Sequence, residues 1–326
     1  MQKPKLLQID LTDECPLFCS HCSNSSGPAC HGSLPLGAVI RTIYDAKALN
    51  VTALVLSGGE PLRYEDINPV LQAAASCGLH TTIFTTGISD LRSRESISRS
   101  GWETLKVSGL KVAAFSVYSG PKSRQLHNQI VRLRPTKRDA FAINEDGIKN
   151  AALAGIETHV HYIPSTESVG SLQEIYDWAN SLNCKTLHVQ FPTRQGRNIE
   201  TRAVAVDSRD ELTLQENVKN LRIAHTAVHV SWLWQYQWGL AGAGRREQVN
   251  QLIIRSDGEV VACNACKYLA DVPHHNILRS QRSLMQIWES VSEASINHNC
   301  LEDCHNRDEG DFAERRAGLH LVRANV

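Results

Sequence analysis

An α/β chain with a parallel sheet follows from three features of the 326-residue sequence. Apolar runs of strand length alternate with segments of helical period, the alternation recurs six times, and glycine-containing turns punctuate the joins. Lys5 to Asp10 is the first strand, and a cysteine-rich loop follows it. Pro35 to Leu49 carries Val39, Ile40, Ile43 and Ala46 at helical spacing. The strand Ala53 to Leu56 and a helix over Ile67 to Ser76 come next. Thr81 to Phe84 is a third strand, ending in Thr85-Thr86-Gly87. The polar stretch Ser89 to Ser100 reads as helix and loop. Lys111 to Val117 is a fourth strand, and Ala140 to Ala154 a helix closed by Gly155. Glu157 to Tyr162 and Leu187 to Phe191 are two further strands, separated by a helix over Leu172 to Leu182.

Composition bounds the function. The chain is long enough to bury a large core. Lys and Arg number 34 against 34 Asp and Glu, a balance that gives no reason to expect a nucleic-acid partner. No run of eighteen apolar residues is present, and Met1-Gln2-Lys3-Pro4-Lys5 lacks the apolar core of a signal peptide. The expectation is a cytoplasmic protein with no membrane partner. Ten cysteines in such a chain argue for metal or redox chemistry in a reducing compartment.

The most informative stretch is Cys15-Pro16-Leu17-Phe18-Cys19-Ser20-His21-Cys22. Three thiolates on one tight loop can hold three irons of a cubane cluster and leave the fourth open to a small molecule. A disulfide loop is another use of the spacing, as is a zinc knuckle with Cys30 as fourth ligand. Ala53 to Leu56 then runs directly into Ser57-Gly58-Gly59-Glu60-Pro61-Leu62. A glycine pair at a strand end lets backbone approach a ligand closely, and the Glu60 carboxylate can meet an ammonium group.

The two motifs together resemble the radical S-adenosylmethionine (radical SAM) family, over roughly residues 5 to 225. The resemblance implies a partial (β/α)6 barrel, with residues 1–225 forming it. It implies that Cys15, Cys19 and Cys22 ligate a [4Fe-4S] cluster and that Gly58, Gly59 and Glu60 hold the methionine amino group of S-adenosylmethionine. Thr85, with Thr86, and Ser116 would supply polar contacts at the third and fourth strand ends. Gln190 to Arg197, with Pro192 and Gly196-Arg197, resembles the family's adenine-side segment. His21 stands where the family has a larger aromatic residue. The implied chemistry is one-electron cleavage of S-adenosylmethionine followed by hydrogen-atom abstraction, fed by a flavodoxin- or ferredoxin-type reductant.

A second cysteine group, Cys263, Cys266, Cys300 and Cys304, follows a hairpin signal: Gln251 to Arg255, Ser256-Asp257-Gly258, Val260 to Ala262. Gly258 to Cys263 keeps the Gly-x4-Cys spacing of the SPASM and Twitch extensions of radical SAM enzymes. Asn276-Ile277-Leu278 and Ser283 to Trp288 resemble the segment that follows there. The resemblance implies an auxiliary iron-sulfur cluster in a Twitch-like extension over residues 226–326. It departs from the family pattern at Gly239 to Gly244, which holds no cysteine. A four-thiolate zinc hairpin is the alternative.

In α/β barrels the chemistry sits at the C-terminal strand ends, so the cysteine loop, Gly58 to Pro61, Thr85-Thr86, Ser116 to Ser119 and Phe191 to Arg194 share one mouth. Cys77 and Cys184 precede strands and read as structural. Cys30 is placed as a candidate hydrogen-atom donor on the active face, against a plain structural or exposed thiol. His159 and His161 share one face of the fifth strand, as substrate contacts or hydrogen-bonded structural residues. Trp232, Trp234, Tyr236 and Trp238 would pack the extension on the barrel. Arg132 to Arg138 reads as a solvated basic loop. The first strand starts at Lys5, with no winged-helix module before it. That points to a small polar metabolite, such as a sugar or aminocyclitol alcohol, to be dehydrogenated or epimerised. The alternatives are a maturase that epimerises or cross-links a ribosomally made peptide and a non-catalytic iron-sulfur or zinc protein.

Overall fold

The computed structural model describes residues 3–88, 95–133, 139–190, 192, 196–198, 206–224, 227–233, 251–261 and 275–297. Seven parallel strands run through it: β1 (Leu6–Thr12), β2 (Ala53–Gly58), β3 (His80–Thr85), β4 (Val112–Val117), β5 (Glu157–Tyr162), β6 (Thr186–Gln190) and β7 (His229–Leu233). A hairpin of β8 (Gln251–Ile254) and β9 (Glu259–Val261) extends the sheet on the other side of β1. There β8 is parallel to β1, and β10 (His275–Asn276) pairs with β9. The order is β10-β9-β8-β1-β2-β3-β4-β5-β6-β7, a partial barrel with β7 and β10 at its edges. The helices are α1 (Leu36–Ala48), α2 (Ile67–Ser76), α3 (Arg99–Ser108), α4 (Arg124–Val131), α5 (Ala140–Leu153), α6 (Leu172–Ser181), α7 (Ser208–Ala224) and α8 (Leu284–Asn297).

Strand alternation divides the molecule into two environments. Leu7, Ile9 and Leu11 of β1, Leu54 and Leu56 of β2, Val160 and Tyr162 of β5 and Leu187 and Val189 of β6 belong to one buried apolar cluster with the helices. One residue out of phase lie Gln8, Asp10, Ser57, Phe84, Ser116, His159, His161, His188, Gln190 and Ser231. The barrel interior is therefore largely polar, while its outer layer supplies the hydrophobic core.

Several elements depart from the sequence reading. The helix expected within Ser89 to Ser100 is α3, which starts only at Arg99. Ser98 caps it by accepting from the Gly101 N–H at 3.2 Å, and Trp102 and Leu105 anchor it in the core. Residues 89–94 lie outside the described residues. The short helix α4 and the strand β7 had no counterpart in the sequence reading. Cys184 is buried before β6, its sulfur 3.7 Å from the Thr158 hydroxyl that donates to it. Trp234, Tyr236, Trp238 and the extension cysteines Cys263, Cys266, Cys300 and Cys304 lie outside the described residues, as do Phe191, Thr193 and Arg194.

Candidate active site

A cavity opens at the C-terminal ends of the strands. Cys15, Cys19 and Cys22 line it with Gln8, Ser57, Gly58, Gly59, Thr85, Thr86, Ser116 and Gln190. His21, Asn24, Phe84, Tyr118 and His161 complete much of its wall. No Lys, Arg, Asp or Glu lines it among the described residues.

The cysteine loop is fixed from several sides. Phe18 and Ser20 donate backbone N–H groups to the carbonyls of Val131 (3.1 Å) and Ile130 (3.0 Å) at the end of α4. The Arg197 guanidinium donates to the carbonyls of Cys19 (2.8 Å) and Ser26 (2.5 Å), and its backbone N–H donates to that of Cys22. Arg197 thus braces the loop and is not among the cavity-lining residues. Burial raises the Cys15 thiol well above its ordinary value, and neighbouring thiols add to the effect. Burial raises Cys19 as well, with Arg197 opposing. Such thiols become thiolates only beside cationic metal. Among the described residues no three His, Cys, Asp or Glu side chains converge as a single-ion site requires. Three thiols spread over one cavity wall fit a cluster, in which each binds its own iron. Cys30 does not line this cavity; its sulfur lies 3.7 Å from the Ser25 carbonyl.

The Gly58-Gly59 turn sits tightly on that loop. Gly58 has φ +126°, and a Cβ there would stand 2.5 Å from the Thr12 carbonyl; one on Gly59 would stand 2.3 Å from that of Glu14. The two N–H groups that follow donate to those same carbonyls, Gly59 to Thr12 at 2.6 Å and Glu60 to Glu14 at 2.8 Å. Only glycine fits so close a backbone approach.

The Glu60 side chain does not reach the cavity. It is fully buried and accepts from Thr85 Oγ1 (2.7 Å), Leu62 N–H (3.1 Å), Thr86 N–H (2.7 Å) and Thr86 Oγ1 (2.6 Å). Burial raises its pKa and these four donors pull it back. It ties the end of β2 to the end of β3.

The other wall was only partly legible in the sequence. His161 stacks on Phe84 at 5.0 Å and contacts Gln190 Oε1 through Nε2 at 2.5 Å. Burial lowers its pKa to about 4. Below it His159 Nδ1 meets His188 Nε2 at 2.9 Å, and His159 Nε2 meets Glu157 at 2.8 Å. His21 packs on Tyr118 at 4.4 Å between ring centroids, and its buried Nδ1 has no hydrogen-bond partner among the described residues. Gln8, Asn24, Tyr118 and His188 were not singled out from the sequence. Gln8 had a signal there, since it alternates with Leu7 and Ile9 and so shares a face with Asp10.

The family model for the radical SAM superfamily matches residues 9–179. Curated relatives include the PqqA peptide cyclases of Methylobacterium sp. (strain 4-46), 24% identical over 86% of this chain and 72% of that protein, and of Ruegeria pomeroyi, 25% identical over 87% and 74%. Among solved structures, Streptococcus suis SuiB bound to its precursor peptide SuiA superposes with TM-score 0.70, at 19% identity over 88% of this chain. The chain spans 65% of the SuiB chain. The structure of anSMEcpe with bound AdoMet gives TM-score 0.62 at 16% identity, over 89% of this chain and 81% of that one. At these identities the structural likenesses show the fold. No helix among the described residues is long and apolar enough to cross a membrane.

Proposed function

The chain belongs to the radical SAM superfamily, and from that premise we propose that it modifies a ribosomally made peptide, by epimerisation or by closing a thioether or other cross-link. When bound, a [4Fe-4S] cluster and S-adenosylmethionine supply one-electron carbon–sulfur cleavage and abstraction of a hydrogen atom from an unactivated carbon. The chain's own residues hold and orient. In this reading Cys15, Cys19 and Cys22 are the cluster ligands, and the Gly58-Gly59 backbone offers the close approach that the cosubstrate's amino end needs. Ser116 and Gln190 supply neutral polar contacts, and Thr85 and Thr86 act chiefly through Glu60. Residues 226–326 form the Twitch-like extension, with Cys263, Cys266, Cys300 and Cys304 holding an auxiliary cluster.

One observation carries the choice of a peptide. The similarity to peptide cyclases covers 86–87% of the chain, far more than the family model's residues 9–179. It moves a peptide ahead of the small polar metabolite expected from the sequence. The uncharged cavity wall agrees, since a neutral backbone or side chain suits it better than a phosphorylated or carboxylated metabolite.

The test is anaerobic turnover of the reconstituted enzyme with S-adenosylmethionine, a reductant and the short peptides encoded beside its own gene. Formation of 5′-deoxyadenosine should depend on one of those peptides. That peptide should lose two hydrogens on cross-linking, or take up one deuterium from D2O on epimerisation. Turnover with a sugar or aminocyclitol and with no peptide would restore the metabolite reading. A cluster-loaded protein that never cleaves S-adenosylmethionine would be a binding protein.

A further inference from the structure

The cysteine loop leans against a segment of one sign of charge. From Ser119 to Arg138 the sequence holds Lys122, Arg124, Arg132, Arg134, Lys137 and Arg138 and no Asp or Glu, in a chain of zero formal net charge. Residues 134–138 lie outside the described residues; Lys122, Arg124 and Arg132 are exposed. Arg124 shares its charge with Asp139 at 3.7 Å.

The contact with the loop is direct. The carbonyls of Ile130 and Val131 accept the Ser20 and Phe18 N–H groups, and Arg132 is the next residue. Arg132 caps α4 in the left-handed region, φ 50° and ψ 45°. Glycine or asparagine is the ordinary occupant there, so an arginine is held at some backbone cost. Phe18 stands between two of the cysteines and is 45% exposed, with the Arg197 guanidinium 4.0 Å from its ring centre. An exposed aromatic ringed by cations, one loop away from a redox centre, has the composition of a transient docking face.

We propose that Phe18, Lys122, Arg124 and Arg132 form the docking face for a small acidic one-electron carrier protein that reduces the cluster. One electron passes from the carrier's reduced flavin or iron-sulfur centre to the cluster, and the carrier is left oxidised by one electron. Phe18 gives the short apolar contact, and the cations steer the acidic partner toward the loop. This rests on the cluster reading of Cys15, Cys19 and Cys22.

The test is stopped-flow reduction of the reconstituted full chain by reduced flavodoxin, followed by bleaching of cluster absorbance. Photoreduced deazaflavin serves as the reductant that needs no docking. The double variant Lys122→Glu/Arg132→Glu should lower the flavodoxin rate constant at least about tenfold and flatten its salt dependence. The deazaflavin rate and the iron content should hold within about twofold. Arg132→Asn, which tolerates the left-handed backbone, should give a smaller fall in the same direction.

An unchanged flavodoxin rate overturns the proposal. So does a wild-type rate that fails to fall as salt is raised, which needs no variant to fold. Weakened peptide binding at an unchanged flavodoxin rate would assign the face to an acidic stretch of the substrate and overturn it too. A wild-type chain that assembles no cluster overturns the site reading and this proposal with it.

Discussion

Glu60 shows how a motif can name the right residue and leave its task hidden. In the sequence it follows two glycines at a strand end, where a carboxylate facing an ammonium group is the natural reading. In the structure its two oxygens take four donors from Leu62, Thr85 and Thr86, and the charge is spent on joining β2 to β3. Which way a side chain leaves a turn depends on partners 25 and 26 residues away, and spacing does not encode them. Glu60→Gln separates the two tasks. Whichever way the amide is placed, its NH2 faces an N–H or hydroxyl that now donates to oxygen. The expected cost is about 1–3 kcal/mol of stability, read from urea unfolding of the apoprotein. Unchanged stability with weakened S-adenosylmethionine binding would return the carboxylate to the cosubstrate.

At the scale of elements, most strands and helices were legible because period-two and helical patterns are local. The shared face of His159 and His161 was legible for the same reason. His188 was not. It sits opposite His161 in the β5–β6 register and opposite Ser231 in the β6–β7 register, and such pairing is invisible within one strand. The helix α4 is only eight residues long, and much of its anchoring is the buried His127, a residue that hydrophobic periodicity passes over.

These histidines have a measurable consequence. Burial lowers His127 and His188 to about 3 and His161 to about 4. Unfolded, each binds a proton near its ordinary value of about 6.5. The unfolded chain therefore holds more protons than the folded one from about pH 6.5 down to these lowered values. Their contribution is complete above that window and is lost as pH falls through it. Urea midpoints of the apoprotein should be level above about pH 7 and drop between about pH 6.5 and 5, before most carboxylates titrate. His188→Gln should lessen that drop by about one proton's worth. A flat profile would mean that these imidazoles are charged in the folded state.

For the whole molecule, the question is how the C-terminal third is joined to the barrel. Strand β8 pairs with β1, and the Ser256 hydroxyl at its turn donates to the Asp13 carboxylate two residues before Cys15. Ile277 donates its N–H to Gly258 and accepts from Arg41 of α1. Leu284, Ile287, Trp288 and Val291 of α8 belong to the same buried cluster as the barrel helices. Cys263 follows the last residue of β9 by two positions, and Cys300 follows the end of α8 by three. Both cysteine pairs are thus tethered to elements packed into the barrel, and those elements hold without help from the thiols. Replacing Cys263, Cys266, Cys300 and Cys304 together by alanine should therefore spare the fold and the N-terminal cluster. After anaerobic reconstitution, iron should fall from about eight to about four per chain, with sulfide falling in step. The remaining iron should still be lost on Cys15→Ala/Cys19→Ala/Cys22→Ala. About four irons in both proteins would remove the auxiliary cluster, and zinc released by the four-cysteine change would put a structural zinc hairpin in its place.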